Sequence, residues 1–340
     1  VERRAALVVE RAQALQAAAA GVLELDVLAD DLVDAGPLTD EGDVLVAVKY
    51  SSLNYKDCLA VAGRGKIVRQ YPMVPGVDLT GEVLSSESPD FKPGDQVLLT
   101  GWYVGERYWG GYTQQARLKS EWLIPLPEGL NGLKAMAIGS AGLTAMLCVM
   151  ALEDQGVVPD QGPILVTGAS GGVGGVAVAL LAGLGYSVSA VTGNRDNDDY
   201  LYQLGATEIV SRTELERLAQ PLESQRWAGA VDTVGGEVLA RLLAEMKYGG
   251  TVAATGLTGG SELHTTVMPF ILRAIKMVGV EVTTCPVPLR KKAWARLADE
   301  LSDDLLGQIF KVVSLEEVPL FAERLLDGQI SGRVVVDVRR

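Results

Sequence analysis

The glycine-rich turn of residues 167–175 (TGASGGVGG) restricts the fold of this chain of 340 residues more than any other segment. Before the turn, residues 163–167 form an apolar run typical of a buried strand. After it, residues 172–184 are rich in Gly and Ala, as in a closely packed helix. This order predicts a dinucleotide site, because small residues and the N–H groups at a helix start accommodate a pyrophosphate. The residues predicted to bind it are Ser170, Gly171, Gly172, Val173 and Gly174. The alternative is a tight turn needed only for helix–strand packing.

The sequence on the two sides of residue 125 differs in pattern. Up to residue 124, short β-branched runs alternate with Gly and Pro, which predicts an antiparallel, barrel-like β domain. Residues 125–287 alternate apolar strand-like runs with helical runs, which predicts a doubly wound parallel sheet with an α/β fold. Residues 288–340 end in an apolar run at 332–338, so we expect the tail to rejoin the first domain. A further strand is predicted at 278–282, either as an edge used in dimerisation or as an edge within one subunit.

The charge balance excludes some partners. Thirty basic residues against 43 acidic ones give a formal charge of −13, which disfavours nucleic acid and anionic membranes. A ligand with phosphate groups therefore needs a local basic patch or a helix N-terminus. We expect a cytoplasmic location for three reasons. The three cysteines are scattered, the sequence has no leader-like pattern, and no apolar run reaches roughly 18 residues.

The loop after the second strand of the doubly wound domain indicates which dinucleotide is bound. NAD sites place a carboxylate at the end of this strand, where it accepts a hydrogen bond from the ribose 2′-hydroxyl. Here no acidic residue stands between the end of the strand at Val191 and Asp196. Thr192 and Asn194 can donate hydrogen bonds, and Arg195 can pair with a 2′-phosphate. Arg212 is placed to flank the adenine. The pattern favours NADPH over NADH, although a solvated loop with an incidental arginine would look the same.

Several motifs together resemble the medium-chain dehydrogenase/reductase superfamily over nearly the whole chain. The motifs are residues 51–57 (SSLNYKD), 72–81 (PMVPGVDLTG), 100–102 (TGW), 109–112 (WGGY), 139–146 (GSAGLTAM), 227–235 (WAGAVDTVG) and 266–273 (TVMPFILR). They are most similar to the zinc-free, quinone-oxidoreductase-like branch that contains bacterial acryloyl-CoA reductases. The resemblance implies a Rossmann domain with a GroES-like β-barrel catalytic domain. Residues 11–40 depart from the pattern and support no assignment.

The residues themselves argue against zinc. Zinc-dependent relatives carry a His-Glu pair where this chain has Val77 and Asp78, and the loop with four cysteines is missing. The single histidine, His264, lies elsewhere and is predicted to be a loop or core residue. One histidine and three scattered cysteines do not make a tetrahedral zinc site, so no metal is expected.

The resemblance implies hydride transfer from NADPH to the β-carbon of a 2-enoyl thioester, with acryloyl-CoA as the expected substrate. Without a metal, hydrogen-bond donors must stabilise the enolate and a proton must reach the α-carbon. Asn54 and Tyr55 are the predicted donors, and the alternative for Tyr55 is stacking on the nicotinamide. Lys56 and Asp57 are either an orienting pair or a local ion pair. The residues expected to border the nicotinamide end are Thr144, Leu257 and Arg333.

The loop of residues 63–69 supplies a local basic patch. Arg64, Lys66 and Arg69 lie within seven residues and fit a clamp for the phosphates of coenzyme A, although such a run is often only a solvated surface. Because a fold does not fix a substrate, two other functions stay open. They are quinone reduction and non-catalytic binding of NADPH. A homodimer is expected.

Overall fold

The computed structural model describes residues 42–69 and 73–340. Residues 11–40 and Pro72 lie outside this part of the chain. The described residues divide into two compact units, one within the bounds Val1–Ser140 together with Phe310–Arg340 and one formed by Ala141–Ile309. Both boundaries fall later in the chain than the expected ones at 124/125 and 287/288. The first boundary follows directly after a break at Gly139 inside the helix Gly132–Asp154.

The first unit is built on a seven-stranded sheet. Its strands are β1 (Val44–Leu53), β2 (Asp78–Ser86), β3 (Gln96–Thr100), β4 (Gln115–Leu118), β5 (Ile124–Pro125), β12 (Phe310–Ser314) and β13 (Arg333–Asp337). Strand β1 is central and pairs antiparallel with β2, β4 and β13. In β1 the side chains of Val44, Val46 and Val48 are fully buried, because alternate residues of a strand point to the same face. The closing strand β13 therefore belongs to the same sheet as the first strand, as its sequence pattern predicts.

Two helices of this unit lie side by side, Tyr55–Val61 directly after β1 and Val318–Leu326 before β13. Asn54 is the N-cap residue of the first helix. Its backbone is extended (φ −112°, ψ 165°), and its N–H donates to Asp57 Oδ2 at 2.9 Å. This local pattern is a capping box, which satisfies donors that a helix start would otherwise leave unpaired. It fixes Tyr55 as the first residue of the helix.

The second unit contains a six-stranded parallel sheet with the strand order β11-β10-β9-β6-β7-β8. These strands are β6 (Ile164–Val166), β7 (Val188–Thr192), β8 (Glu208–Ser211), β9 (Trp227–Asp232), β10 (Met246–Ala254) and β11 (Lys276–Gly279). The helices between and after them are Gly172–Gly183, Asp198–Gln203, Arg212–Leu215, Gly236–Glu245, Met268–Arg273, Val287–Glu300 and Asp303–Ile309. All three side chains of β6 are fully buried, because both faces of a parallel sheet are covered. Strands alternating with helices confirm the predicted α/β class.

The edge strand β11 differs in position from the prediction of 278–282. It runs from Lys276 to Gly279 and pairs with β10 only as far as Gly279. Beyond it, the carboxylate of Glu281 accepts the backbone N–H groups of Thr283 and Thr284, so the chain turns away. The β-branched pattern continues past residue 279, but a side chain that bonds its own backbone ends the strand.

One described helix, Gly132–Asp154, is long and apolar enough to cross a membrane by length and composition. Of the 18 most apolar consecutive residues of this helix, 94% are buried inside the protein. This burial is what a core helix requires.

Candidate functional site

The glycine turn of the second unit joins β6 to the helix Gly172–Gly183. Gly171 is the N-cap residue with extended backbone, and no side chain caps the helix start. The N–H of Gly175 bonds to the carbonyl of Gly171 at 2.9 Å, so the N–H groups before it have no acceptor within the helix. A Cβ at Gly174 would lie 2.3 Å from the carbonyl oxygen of Gly168. Glycine is therefore required for packing here, and the uncapped helix start also fits a pyrophosphate.

The carboxyl ends of β6 and β9 meet beside this turn. Thr167 Oγ1 donates to Asp232 Oδ1 at 2.7 Å, and Asp232 Oδ2 accepts the N–H of Gly235 at 2.9 Å. Burial raises the pKa of Asp232, although these donors oppose the shift. Ligands of open α/β sheets bind at such an edge. Leu257, which follows β10, is 68% exposed, whereas Thr144 is buried. Their roles toward a nicotinamide stay predictions.

The loop after β7 carries the residues predicted to read the 2′-phosphate. Thr192 Oγ1 accepts the N–H of Asn194 at 3.1 Å, and Asn194 Oδ1 accepts the N–H of Asp196 at 3.0 Å. The Thr192 hydroxyl also donates to the carbonyl of Asn194. Both side chains thus shape the loop, and a hydrogen bond from Thr192 or Asn194 to a nucleotide stays a prediction.

Two arginines lie at this loop. The side chain of Arg195 is 83% exposed, and its guanidinium lies 3.7 Å from Asp198 Oδ2. A Cβ placed at Gly193 would lie 2.5 Å from Cζ of Arg212, so this guanidinium rests directly on the Gly193 backbone. Arg212 follows β8 and reaches the loop from the neighbouring strand. The structure therefore brings the two predicted cations to the end of β7, where a 2′-phosphate would need them.

In the first unit, polar side chains that are buried, except for the half-buried Asn54, surround Asp78 at the start of β2. We call Ser52, Asn54, Asp57, Asp78, Ser140 and Arg333 the Asp78 cluster. Asp78 Oδ2 accepts Ser52 Oγ at 2.5 Å, Asn54 Nδ2 at 3.0 Å and the N–H of Ser140 at 2.8 Å. Asp78 Oδ1 accepts Ser140 Oγ at 2.5 Å. Both carboxylate oxygens are therefore engaged by the protein.

The break in the helix Gly132–Asp154 explains why charged groups are buried here. Gly139 has φ 53° and ψ −161°, which are not helical. The break exposes backbone groups that need new partners. The Ser140 N–H donates to Asp78, and the Ala137 carbonyl accepts Arg333 Nε at 2.9 Å. Arg333 Nη1 also donates to Asn54 Oδ1 at 3.0 Å.

Both polar atoms of the Asn54 side chain form hydrogen bonds within the Asp78 cluster. Its amide nitrogen donates to Ser52 Oγ, Asp57 Oδ2 and Asp78 Oδ2 at 3.0–3.1 Å, and its oxygen accepts Arg333. The geometry therefore favours positioning over direct donation to a substrate, in contrast to the sequence-based expectation. Tyr55, the next residue, is 45% exposed and remains accessible. The side chain of Arg333 lies in this cluster, so bordering a nicotinamide stays a prediction for it.

Asp57 is fully buried and faces the cluster. Its Oδ1 accepts the N–H of Val77 at 2.9 Å. Burial and the neighbouring charge of Asp78 raise the pKa of Asp57 to about 7, although the N–H donors of Asn54 and Val77 oppose the shift. Lys56 and Asp57 form neither the orienting pair nor the local ion pair that the sequence suggested. Lys56 Nζ instead bonds to Glu106 Oε1 at 2.8 Å, because Lys56 lies on the exposed side of the helix start and Asp57 on the buried side.

The basic loop lies at the surface of the first unit. Arg64, Lys66 and Arg69 are exposed, and within residues 42–69 and 73–340 none of their side chains has an ion-pair partner. The N–H of Arg69 donates to the carbonyl of Glu106 at 3.0 Å. The loop is therefore attached to the segment that follows β3.

Groups that could bind a metal do not assemble in the described part of the chain, where no three His, Cys, Asp or Glu residues converge. His264 is exposed, and its Nδ1 lies 2.8 Å from Glu237 Oε1, which raises the pKa of the imidazole. It is a loop residue, as expected. Cys58, Cys148 and Cys285 are free and buried.

Sequence reasoning missed the roles of Ser52, Asp78 and Ser140. All three stand in motifs that carry the family resemblance, 51–57, 72–81 and 139–146. Their polar side chains at the ends of apolar runs were the sequence signal that could have indicated a role in the site. Their mutual contacts span 62 residues of sequence, from Asp78 to Ser140, and no local pattern predicts such a contact.

Comparison with known proteins agrees with both units. The family called alcohol dehydrogenase GroES-like domain matches residues 40–128, and the family called zinc-binding dehydrogenase matches residues 172–303. The probable acrylyl-CoA reductase AcuI of Escherichia coli K12 is 56% identical, with 88% of this chain and 92% of the relative covered. The putative quinone oxidoreductase YhfP of Bacillus subtilis is 47% identical, with 86% of this chain and 89% of the relative covered.

Solved structures agree as well. The crystal structure of E. coli K-12 YhdH with bound NADPH is 54% identical, with a TM-score of 0.87 and coverage of 89% of this chain and 95% of that one. The crystal structure of B. subtilis YhfP with NAD bound has a TM-score of 0.85 and 47% identity, with 87% of this chain and 91% of that chain covered. The chain therefore belongs to the medium-chain dehydrogenase/reductase superfamily, in the quinone-oxidoreductase-like branch that includes the acrylyl-CoA reductases.

Proposed function

We propose that this protein reduces the C=C bond of acryloyl-CoA to give propanoyl-CoA, with NADPH as the reductant. The observation that carries the proposal is the 56% identity to an acrylyl-CoA reductase over 88% of the chain. At this similarity the polar residues around a site are expected to be shared along with the fold. The rival is quinone reduction, which the name of the B. subtilis relative suggests.

The cofactor assignment rests on the loop after β7 and on the NADPH-bound relative. Arg195 and the Arg212 guanidinium against Gly193 supply two cations for a 2′-phosphate. Ser170, Gly171, Gly172, Val173 and Gly174 would hold the pyrophosphate at the uncapped helix start. Because the B. subtilis relative has NAD bound, rates with NADPH and NADH must be compared directly.

Residues of the first unit would supply the proton that the α-carbon of the substrate needs. Bound NADPH supplies a hydride to the β-carbon of the enoyl thioester. The phenol of Tyr55, which is accessible, would then donate a proton to the α-carbon or hold the enolate oxygen. Asn54 would fix the helix start on which Tyr55 lies, since its amide is bonded to Asp57, Asp78 and Arg333. If Tyr55 only stacks on the nicotinamide, a ring without a hydroxyl would serve equally well.

The basic loop would bind phosphates of coenzyme A. Arg64, Lys66 and Arg69 concentrate positive charge on a chain with a net charge of −13. The double variant Arg64→Ala with Lys66→Ala should raise KM for acryloyl-CoA and leave KM for a small quinone unchanged. Equal effects on both substrates would contradict the clamp.

Steady-state oxidation of NADPH tests the function directly. We expect turnover with acryloyl-CoA to exceed turnover with crotonyl-CoA and with a benzoquinone. Preferential turnover of the benzoquinone would favour the rival. Tight NADPH binding by fluorescence quenching, without turnover of any substrate, would indicate a non-catalytic NADPH-binding protein.

We further propose a homodimer and a cytoplasmic location. Strand β11 is the edge of its sheet, and the side chain of Met277 on it is 44% exposed, so a second copy can extend the sheet there. Sedimentation of the wild type and of Met277→Lys would test this interface. The cytoplasm is where NADPH and acyl-CoA substrates are available and free thiols stay reduced.

A further inference from the structure

An arginine and a tyrosine are stacked at the surface of the first unit, in the segment that follows β3. The guanidinium carbon of Arg107 lies 4.4 Å from the ring centroid of Tyr103. Arg107 is exposed, and Tyr103 is half-buried. A planar guanidinium that covers one aromatic ring still has a second face, on which another flat π system can stack.

The backbone beneath this pair is held in an uncommon conformation. Trp102 and Tyr103 have φ of 55° and 60°, in the left-handed region that bulky residues rarely adopt. The Tyr103 carbonyl accepts the N–H groups of Glu106, Arg107 and Tyr108 at 2.8–3.2 Å. Such strain persists only where the surroundings impose it, and it is concentrated at ligand-binding sites. The stacked pair is therefore pre-organised.

The same segment is joined to the basic loop. The N–H of Arg69 donates to the carbonyl of Glu106, the residue before Arg107. The acidic side chain of Glu106 is paired with Lys56 at 2.8 Å. In the part of the chain that the structure describes, the side chains of Arg69 and Arg107 have no acidic partner. The surface beside the stacked pair therefore keeps its positive charge.

A flat cationic surface next to unpaired basic residues matches the chemistry of an adenine nucleotide that carries phosphates. We propose that Arg107, supported by the Tyr103 ring, stacks on the adenine of coenzyme A, while the adjoining basic loop binds its phosphates. This inference rests on the proposed function, because it places the far end of the acryloyl-CoA substrate. It assigns the specificity for the coenzyme A nucleotide to Arg107 and Tyr103.

The test compares Arg107→Ala with Arg324→Ala. Arg324 is a matched control, since it is also exposed and stacks on an aromatic ring, that of Phe321, at 5.6 Å. KM and kcat are measured with acryloyl-CoA and with acryloyl-pantetheine, which lacks the nucleotide. We expect Arg107→Ala to raise KM for acryloyl-CoA about tenfold, a loss of about 1.4 kcal/mol that base stacking can account for. Its kcat, its KM for acryloyl-pantetheine and its KM for NADPH should stay unchanged, and Arg324→Ala should behave as the wild type.

Other outcomes would overturn the inference. An equal rise of KM for both thioesters, no change for either, or a rise of KM for NADPH would each show that Arg107 does not recognise the coenzyme A nucleotide. If the wild type reduces neither thioester, the proposed function fails. Calorimetry with adenosine 3′,5′-bisphosphate then still tests the surface, and weaker binding to Arg107→Ala than to Arg324→Ala would support it. Equal binding to the two variants would refute it.

Discussion

A methyl group at Gly139 would enter the Asp78 cluster, so Gly139→Ala should strongly destabilise the first unit. The backbone at Gly139 has φ 53° and ψ −161°, a region open almost only to glycine, and an alanine there costs about 1–3 kcal/mol. The new Cβ would also lie 2.6 Å from Arg333 Nη2 and 2.7 Å from Asp78 Oδ2. Moving either group separates buried charged groups from their partners, which costs about 3–5 kcal/mol. We therefore expect a loss of roughly 4–8 kcal/mol, a large part of the 5–15 kcal/mol typical of a folded protein.

Gly129→Ala provides a matched control for this prediction. Gly129 also has a positive φ, 86°, but a Cβ there would meet no atom within 4 Å, so only backbone strain of about 1–2 kcal/mol applies. Urea unfolding gives the loss of stability for each variant, and hydrogen exchange assigns the transition to peptides of the first unit. If the two variants lose the same stability, the contacts of the Asp78 cluster do not constrain Gly139 and the reasoning is refuted.

Three further predictions concern the cofactor, the proton and the pH dependence. Arg195→Ala combined with Arg212→Ala should raise KM for NADPH roughly 10- to 100-fold and leave KM for NADH unchanged; an equal rise for both would argue against a 2′-phosphate site. Tyr55→Phe should lower kcat about 10²- to 10⁴-fold if the phenol donates a proton, whereas an unchanged kcat would leave only stacking. Asp57→Asn should change how stability depends on pH. The pKa of Asp57 is raised to about 7, so stabilisation by its neutral form is complete below about pH 4 and is lost as the pH rises through 7. Urea midpoints between about pH 5 and pH 8 should therefore fall more steeply for the wild type than for the variant, and parallel curves would contradict the assignment.

The parts of the fold that were predicted from sequence are those with local causes. The glycine turn, the apolar run of β6 and the helix after it follow from residues that are adjacent in the chain, and the structure has all three. The end of β11 was not predictable from hydrophobic periodicity, because the carboxylate of Glu281 terminates the strand by bonding the backbone two and three residues on. The pattern of apolar residues does not show whether a polar side chain will accept hydrogen bonds from backbone N–H groups that the sheet would otherwise use.

The Asp78 cluster shows why the site was predicted less completely than the fold. Arg333 and Asn54 were both named as site residues from the sequence, but their contact joins residues 279 positions apart. Arg333 lies beside the break at Gly139, which separates Ala137 from Ser140 within the helix. A buried carbonyl needs a donor and a buried N–H needs an acceptor, and Arg333 and Asp78 supply them from two different strands. Because Asn54 bonds to both of these charged groups, the helix start that presents Tyr55 is linked to a break in a helix 85 residues away (Asn54 to Gly139).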